Sequence, residues 1–214
     1  MARYKNGING PFSGKIGNAV GANYRGIDYM RSLPELTQKQ PTEKQLNQRA
    51  LLAMVSGWLA PLKALIWIGY QVFTGDKTPM NGCVSYHLKE AVTGNSAAEY
   101  AINFARAIFS RGELLISLIK EVLVLIEGIL RIEWDNPSPS AFCRDDDKAN
   151  VVIYNPAKQK FVTFKDVAQR GDKRVDLQLP ANFAGDSLHV WMHYVNAEGN
   201  AVSTTVYVGE HLLS

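Results

Sequence analysis

The stretch EVLVLIEGILRIEW, Glu121–Trp134, decides the fold, because it reads either as one long helix or as two strands. Gly128 interrupts it at the middle. Beyond that glycine Leu130, Ile132 and Trp134 alternate with Arg131 and Glu133, the period of a strand with one buried face. Two strands meeting at Gly128 are therefore expected. Downstream lie NVVIYN, KFVTFK, RVDLQLP, SLHVWMHYV and AVSTTVYVG, separated by NPAKQ, PANFAGD and NAEGN. Many short strands with turn signals and no helix between them predict an all-β sandwich of the immunoglobulin or fibronectin type III sort over residues 112–214. Its last hairpin sets Leu188, Val190, Met192 and Tyr194 against Val202, Thr204, Val206 and Val208.

Upstream, residues 1–111 have a different texture. Thr42 and Gln45 stand in capping-box spacing, so a helix is expected from about Glu43 to Leu59, with Leu46, Ala50, Ala53 and Gly57 on one face. Pro61 suits the first turn of a second helix that carries Leu62, Leu65, Ile66, Gly69 and Phe73 inward. TGDKTPMNG reads as a loop and Cys83–Val92 as a third helix. AAEYAINFARAIF fits strand and helix equally well, and 97–127 is left open between them. From Ala50 to Phe73 the only charge is Lys63, nearly a bilayer's span of apolar chain. Pro61 and Lys63 near its centre favour two packed amphipathic helices over a membrane crossing.

GPFSGKIGNAVG, Gly10–Gly21, resembles a phosphate-binding loop only at first glance. A P-loop ending at Gly14-Lys15 requires glycine where Asn9 stands and Ser or Thr where Ile16 stands. The pattern fits a hairpin instead: NAVGANY and GIDYMRS meet at Tyr24-Arg25-Gly26-Ile27, and Gly26 supplies the positive φ of a tight turn. Pro34 ends this ribbon, and Gly14, Gly17 and Gly21 are expected to mark bulges or close backbone approach. So small a ribbon cannot be stable alone. It must pack on the helices or on another subunit. The expected class is therefore α+β: a β-hairpin and helical segment, then a sandwich.

Charge is asymmetric. Residues 1–50 hold eight basic side chains against three acidic, net +5, leaving 15 against 17, net −2, for the rest. Lys15, Arg25 and Arg31 with Tyr24 and Tyr29 would suit phosphates and bases, so nucleic acid is one alternative partner. MARYKNGING has no apolar run behind its charged start, so synthesis in the cytoplasm is expected, with later export left open. Cys83 and Cys143, far apart, suit reduced buried thiols better than a disulfide framework, with a single bridge between them the alternative.

Chemistry is sparse. His189 and His193 on a strand lie roughly 13 Å apart, too far to share a metal, and are expected on a solvated face with Trp191. Cys83 and His87 on a helix lack further ligands, and a half-buried helix face is the plainer reading. Asp145–Asp147 lacks the alternating ligands of a calcium loop and reads as a charged connection. No cofactor or metal site is expected, and the chain reads as non-catalytic. A carbohydrate-binding module using Trp134, Trp191 or Tyr194 is a further alternative, though core is the simpler explanation of those rings.

GPFSGKIGNAVG…RGIDYMRSLP, TEKQLNQRALLAMVSGWLAPL, SRGEL, DDDKANVVIYNP, LPANFAGDSLHVW and VSTTVYVGE together resemble, in order and over nearly the whole chain, a family of uncharacterised Bacteroidota proteins with an FSGKxG ribbon, a domain of unknown function. The resemblance implies that ribbon, helices and sandwich belong together, and it supplies no activity. The leading expectation is a structural protein that associates with itself or other subunits. Trp58, Leu59, Leu62, Ile66, Trp67, Ile68 and Tyr70 cover more than one helical face, more than a single core uses. The candidate contact residues are Trp58, Leu62, Ile66, Trp67, Tyr70, Tyr24, Arg25 and Tyr29.

Overall fold

In a computed structural model of the chain, Arg25 and Gly26 take φ of 52° and 79°, the left-handed pair of a type I′ turn. The turn joins β3 (Ala19–Tyr24) to β4 (Ile27–Ser32), the hairpin expected from sequence. Asn23 braces it, its side chain accepting from Gly26 N (3.1 Å) and donating to Asp28 (2.9 Å). The ribbon is wider than a hairpin, however. β1 (Ala2–Arg3) pairs with β4 and β2 (Gly14–Ile16) with β3, giving the antiparallel order β1-β4-β3-β2. A Cβ on Gly21 would lie 2.3 Å from the Phe12 carbonyl oxygen, so only glycine allows that approach. The structure describes residues 2–3, 10–35, 40–73, 77–125 and 128–213, so part of the expected loop at 74–76 and of the connection at 36–39 falls outside it. Two compact units divide the chain, Met1–Thr42 and Glu43–Ser214.

The second unit opens with one helical segment of 27 residues, Glu43–Gly69. It comprises α1 (Glu43–Leu59), a 3-10 turn at Ala60–Leu62 and α2 (Lys63–Gly69). Pro61 sits in the first turn of the 3-10 piece, where a missing N–H is tolerated, so the helical segment continues through it. α3 runs from Pro79 to Glu90, earlier than expected from sequence. Pro79 is its first residue, and Thr78 Oγ1 caps it by accepting from Asn81 N at 3.1 Å. The ambiguous stretch is neither long strand nor long helix. β5 (Val92–Thr93) pairs with β6 (Ala101–Ile102), and a 3-10 turn follows at Phe104–Arg106.

Seven strands complete the unit. β7 (Leu118–Leu125) and β8 (Ile129–Asp135) pair on either side of Gly128, whose φ is 74°, and β11 (Arg174–Gln178) joins them in the order β11-β8-β7. β9 (Lys148–Asn155), β10 (Lys160–Gln169), β12 (Ser187–Val195) and β13 (Val206–Leu212) form the order β10-β9-β12-β13. Both sheets are antiparallel. Between them lies one core, to which β8 gives Leu130, Ile132 and Trp134 and β12 gives Val190, Met192 and Tyr194.

A second core lies on the other face of the four-stranded sheet. There Val152, Tyr154 and Trp191 meet Val55, Leu59, Leu62 and Ile66 of the helices. β9 and β12 are consequently buried on both faces, which antiparallel strands with one wet side are not. Three expectations fall with this. The face of His189, Trp191 and His193 is buried under helices rather than solvated. A boundary at 111/112 does not exist, since helices and sheets share a core and the division comes after Thr42. Asp147 is no simple loop charge. It is 1% exposed, and its carboxylate accepts from the fully buried Arg170 at 3.0 Å.

Candidate interaction surface

Residues at steps of four, three and four place Val55, Leu59, Leu62 and Ile66 on the inner face of the helical segment. The opposite face carries exposed apolar side chains beside the exposed charges Arg49 and Lys63. Leu46 and Trp67 are about half exposed (51% and 53%), and Ala53, Gly57, Ala60 and Ala64 lie exposed between them. The face Leu46-Ala50-Ala53-Gly57 read from sequence thus points outward, with Ala50 half-buried. Small side chains between large ones make a shallow channel into which another apolar ridge can settle.

The candidate contact residues separate into three groups. Leu62, Ile66 and Tyr70 are buried in the chain's own second core, so they hold the helices to the sheet and present nothing outward. The Tyr70 hydroxyl donates to the Ile108 carbonyl at 3.2 Å, and burial raises its pKa far beyond the usual phenol range. Trp58 is half-buried at the centre of an aromatic cluster, its ring centroid 5.3 Å from Phe161, 5.6 Å from Phe109 and 5.7 Å from Tyr154. It borders a groove of about 480 Å³ shared with Pro61, Phe104 and Phe161. Trp67 alone of the helical candidates stands on the outward face. The residues of this face that sequence reasoning missed are Ala60 and Ala64. The small-residue spacing Ala53-Gly57-Ala60-Ala64 was the available signal.

The ribbon contributes a second surface. Its register sets Lys15 beside Val20, Val20 beside Arg31, Ala22 beside Tyr29 and Tyr24 beside Ile27. Directly opposed residues share a face, and alternate residues along a strand do too, so Lys15, Tyr24, Tyr29 and Arg31 all lie on one side of the sheet. Arg25 occupies the exposed turn, Tyr24 is exposed and Tyr29 half-buried. Within residues 10–35 only Gly21 is buried.

Reactive groups are muted. Cys83 and His87 are fully buried rather than on a half-buried helix face, with Nδ1 of His87 2.9 Å from the Cys83 carbonyl and 3.6 Å from its sulfur. Desolvation pushes the thiol up to about 12 and the imidazole below its usual range, so both are neutral at pH 7. Cys143 is likewise a buried free thiol. Among the described residues no three His, Cys, Asp or Glu side chains gather as metal ligands. Trp134, Trp191 and Tyr194 are buried and offer no open ring to a sugar.

Geometry of this kind defines an α+β protein in which helices, a four-stranded sheet and a three-stranded sheet share two cores, with exposed apolar side chains on the outer face of the helices. The chain belongs to a family of unknown function (DUF6266), which matches residues 11–209. No curated protein matches it.

Proposed function

We propose that this protein is a non-catalytic structural protein that self-associates, and that the outward stripe from Leu46 to Trp67 is its principal contact. The stripe carries the reading: large apolar side chains there remain about half exposed after the helices have filled their own core. Leaving such a patch in water forfeits on the order of 25 cal/mol per Å² that a second copy would recover. The ribbon is the secondary contact. It has almost no interior of its own, and its positive charge complements the net negative remainder of a neighbouring copy. The seven strands, three against four around Trp134, support an immunoglobulin- or fibronectin III-like sandwich as the rigid body.

Size-exclusion chromatography with light scattering tests this reading. The expected mass is two or more chains, falling to one chain when Leu46→Glu and Trp67→Glu are combined, because both are exposed and lie outside the core. A single-chain mass for the unaltered protein at high concentration rejects it. The helical segment is also long and apolar enough, by length and composition, to cross a membrane. Partition into detergent in place of a defined oligomer would point to lipid as the partner.

A second reading has its own observation. The shared face of Lys15, Tyr24, Tyr29 and Arg31 suits single-stranded nucleic acid, with cations on phosphates and rings on bases. Binding of a mixed oligonucleotide that weakens steeply with salt, and is lost on Lys15→Ala with Arg31→Ala, would favour it.

A further inference from the structure

Where α2 overhangs the four-stranded sheet, a cavity of about 370 Å³ opens between them, a size typical of small-molecule sites. Ala64, Leu65 and Ile68 form its apolar roof, and His193 and Val195 line it from β12. In the strand register His193 faces Asn150 and Val195 faces Lys148, so all four share the helix-covered side of the sheet.

Two features mark the cavity as built. His193 is only 2% exposed, yet its Nδ1 has no hydrogen-bond partner among the described residues. Buried polar nitrogens are rarely left so, because an unmet one has given up its bond to water and gained nothing in return. Burial lowers the imidazole pKa to about 4, so near neutral pH the ring is uncharged and offers a proton or a lone pair. The rim is also held in place. Asn150 Oδ1 accepts from Asp166 N at 3.0 Å and fixes an irregular β10, where Asp166 adopts φ 52° and the register with β9 shifts.

The charges select a ligand. Glu198 is engaged by Arg144 (3.7 Å) and by the Asn196 amide (3.1 Å). Lys148 and Lys165 have no ion-pair partner among the described residues, and Asp166 is the one remaining carboxylate of the lining. Two ammonium groups against one carboxylate leave one positive charge in excess.

We infer that the cavity between α2 and the sheet binds a small organic carboxylate with an apolar body. The body lies against Ala64, Leu65 and Ile68, the carboxylate meets Lys148 and Lys165, and a polar atom of the ligand reaches His193. Every lining residue named belongs to one chain, and Ala64 also lies on the outward stripe.

Phenylacetate and its uncharged counterpart 2-phenylethanol test the inference on the intact chain labelled at its histidine rings. The expected result is a saturable shift of the His193 signal with phenylacetate at millimolar concentration. Binding should be about tenfold weaker for 2-phenylethanol, and about tenfold weaker for phenylacetate after Lys148→Ala with Lys165→Ala, the loss of charge-assisted bonds. Both lysines lie outside the two cores, so folding is retained, and the other histidine signals report it. No saturable shift at tens of millimolar, equal binding of the alcohol, or indifference to the lysine substitutions would each overturn the proposal.

Discussion

His193 shows how burial converts a titratable side chain into a stability term. Its folded pKa is lowered to about 4, against an ordinary value of 6.5, with desolvation as the cause. Between those values the unfolded chain binds a proton that the native chain does not, so stability falls as pH drops through the window and levels below about pH 4. One group shifted this far contributes at most about 3 kcal/mol. His87, His189 and His211 are shifted downward for the same leading reason and act with the same sign. Urea unfolding at pH 7 and pH 4.5 should therefore show a clear loss at the lower pH, and His193→Gln should flatten part of it. An unchanged pH dependence in that variant would assign the loss to other groups. Sequence reasoning read His193 as solvent-facing because strand periodicity reports only that residues alternate. It carries no record of a helix lying over the outer face. Asp147 escaped for a related reason: its partner Arg170 is 23 residues away and meets it only after β9 and β10 have paired.

Two glycines of the helical segment separate packing from propensity. A Cβ at Gly69 would lie 2.2 Å from the Phe109 carbonyl oxygen and 2.9 Å from Ser110 Cα, both backbone atoms with little room to yield. Here the chain is stitched tightly: Arg111 N donates to the Gly69 carbonyl at 2.8 Å, and Phe109 N and Ser110 N both donate to Thr205 Oγ1, at 3.0 and 2.8 Å. Gly69→Ala should destabilise by about 2 kcal/mol or more. At Gly57 nothing lies within 4 Å of an added Cβ, so Gly57→Ala should stabilise by up to about 1 kcal/mol through helix propensity alone. Denaturant midpoints of the two variants check the opposite signs. The limits of α1, the turn at Arg25-Gly26 and the break at Gly128 were legible because caps, turns and period-two alternation are local. α3 started early because Pro79, Asn81 and Gly82 look like loop residues until Thr78 caps them.

At the scale of the whole molecule, the proposed assembly joins an apolar stripe to a charge-driven ribbon, and salt separates the two. Screening shortens to about 3 Å at 1 M ionic strength, which removes attraction between the basic ribbon and an acidic neighbour while leaving apolar burial intact. Raising sodium chloride from about 0.05 M to about 1 M should lower the average mass in light scattering without reaching the single chain. Substituting Lys15, Arg25 and Arg31 with Ala should make the mass insensitive to salt. A mass that rises with salt in the unaltered protein would leave the stripe as the sole contact.

Composition, glycine placement and the switch from helical to alternating periodicity were enough, without coordinates, to specify an α+β chain, the hairpin, the first helix and most strands of the two sheets. These follow from interactions between residues close along the chain. Which face of the helices is hidden, why β9 and β12 are dry on both sides, and the cavity beside His193 were settled only in three dimensions. Each depends on helices folding back over a sheet more than 80 residues away, as when Trp191 Nε1 donates to the Phe104 carbonyl at 3.1 Å. Long-range packing of that kind leaves no periodic trace in the order of the amino acids.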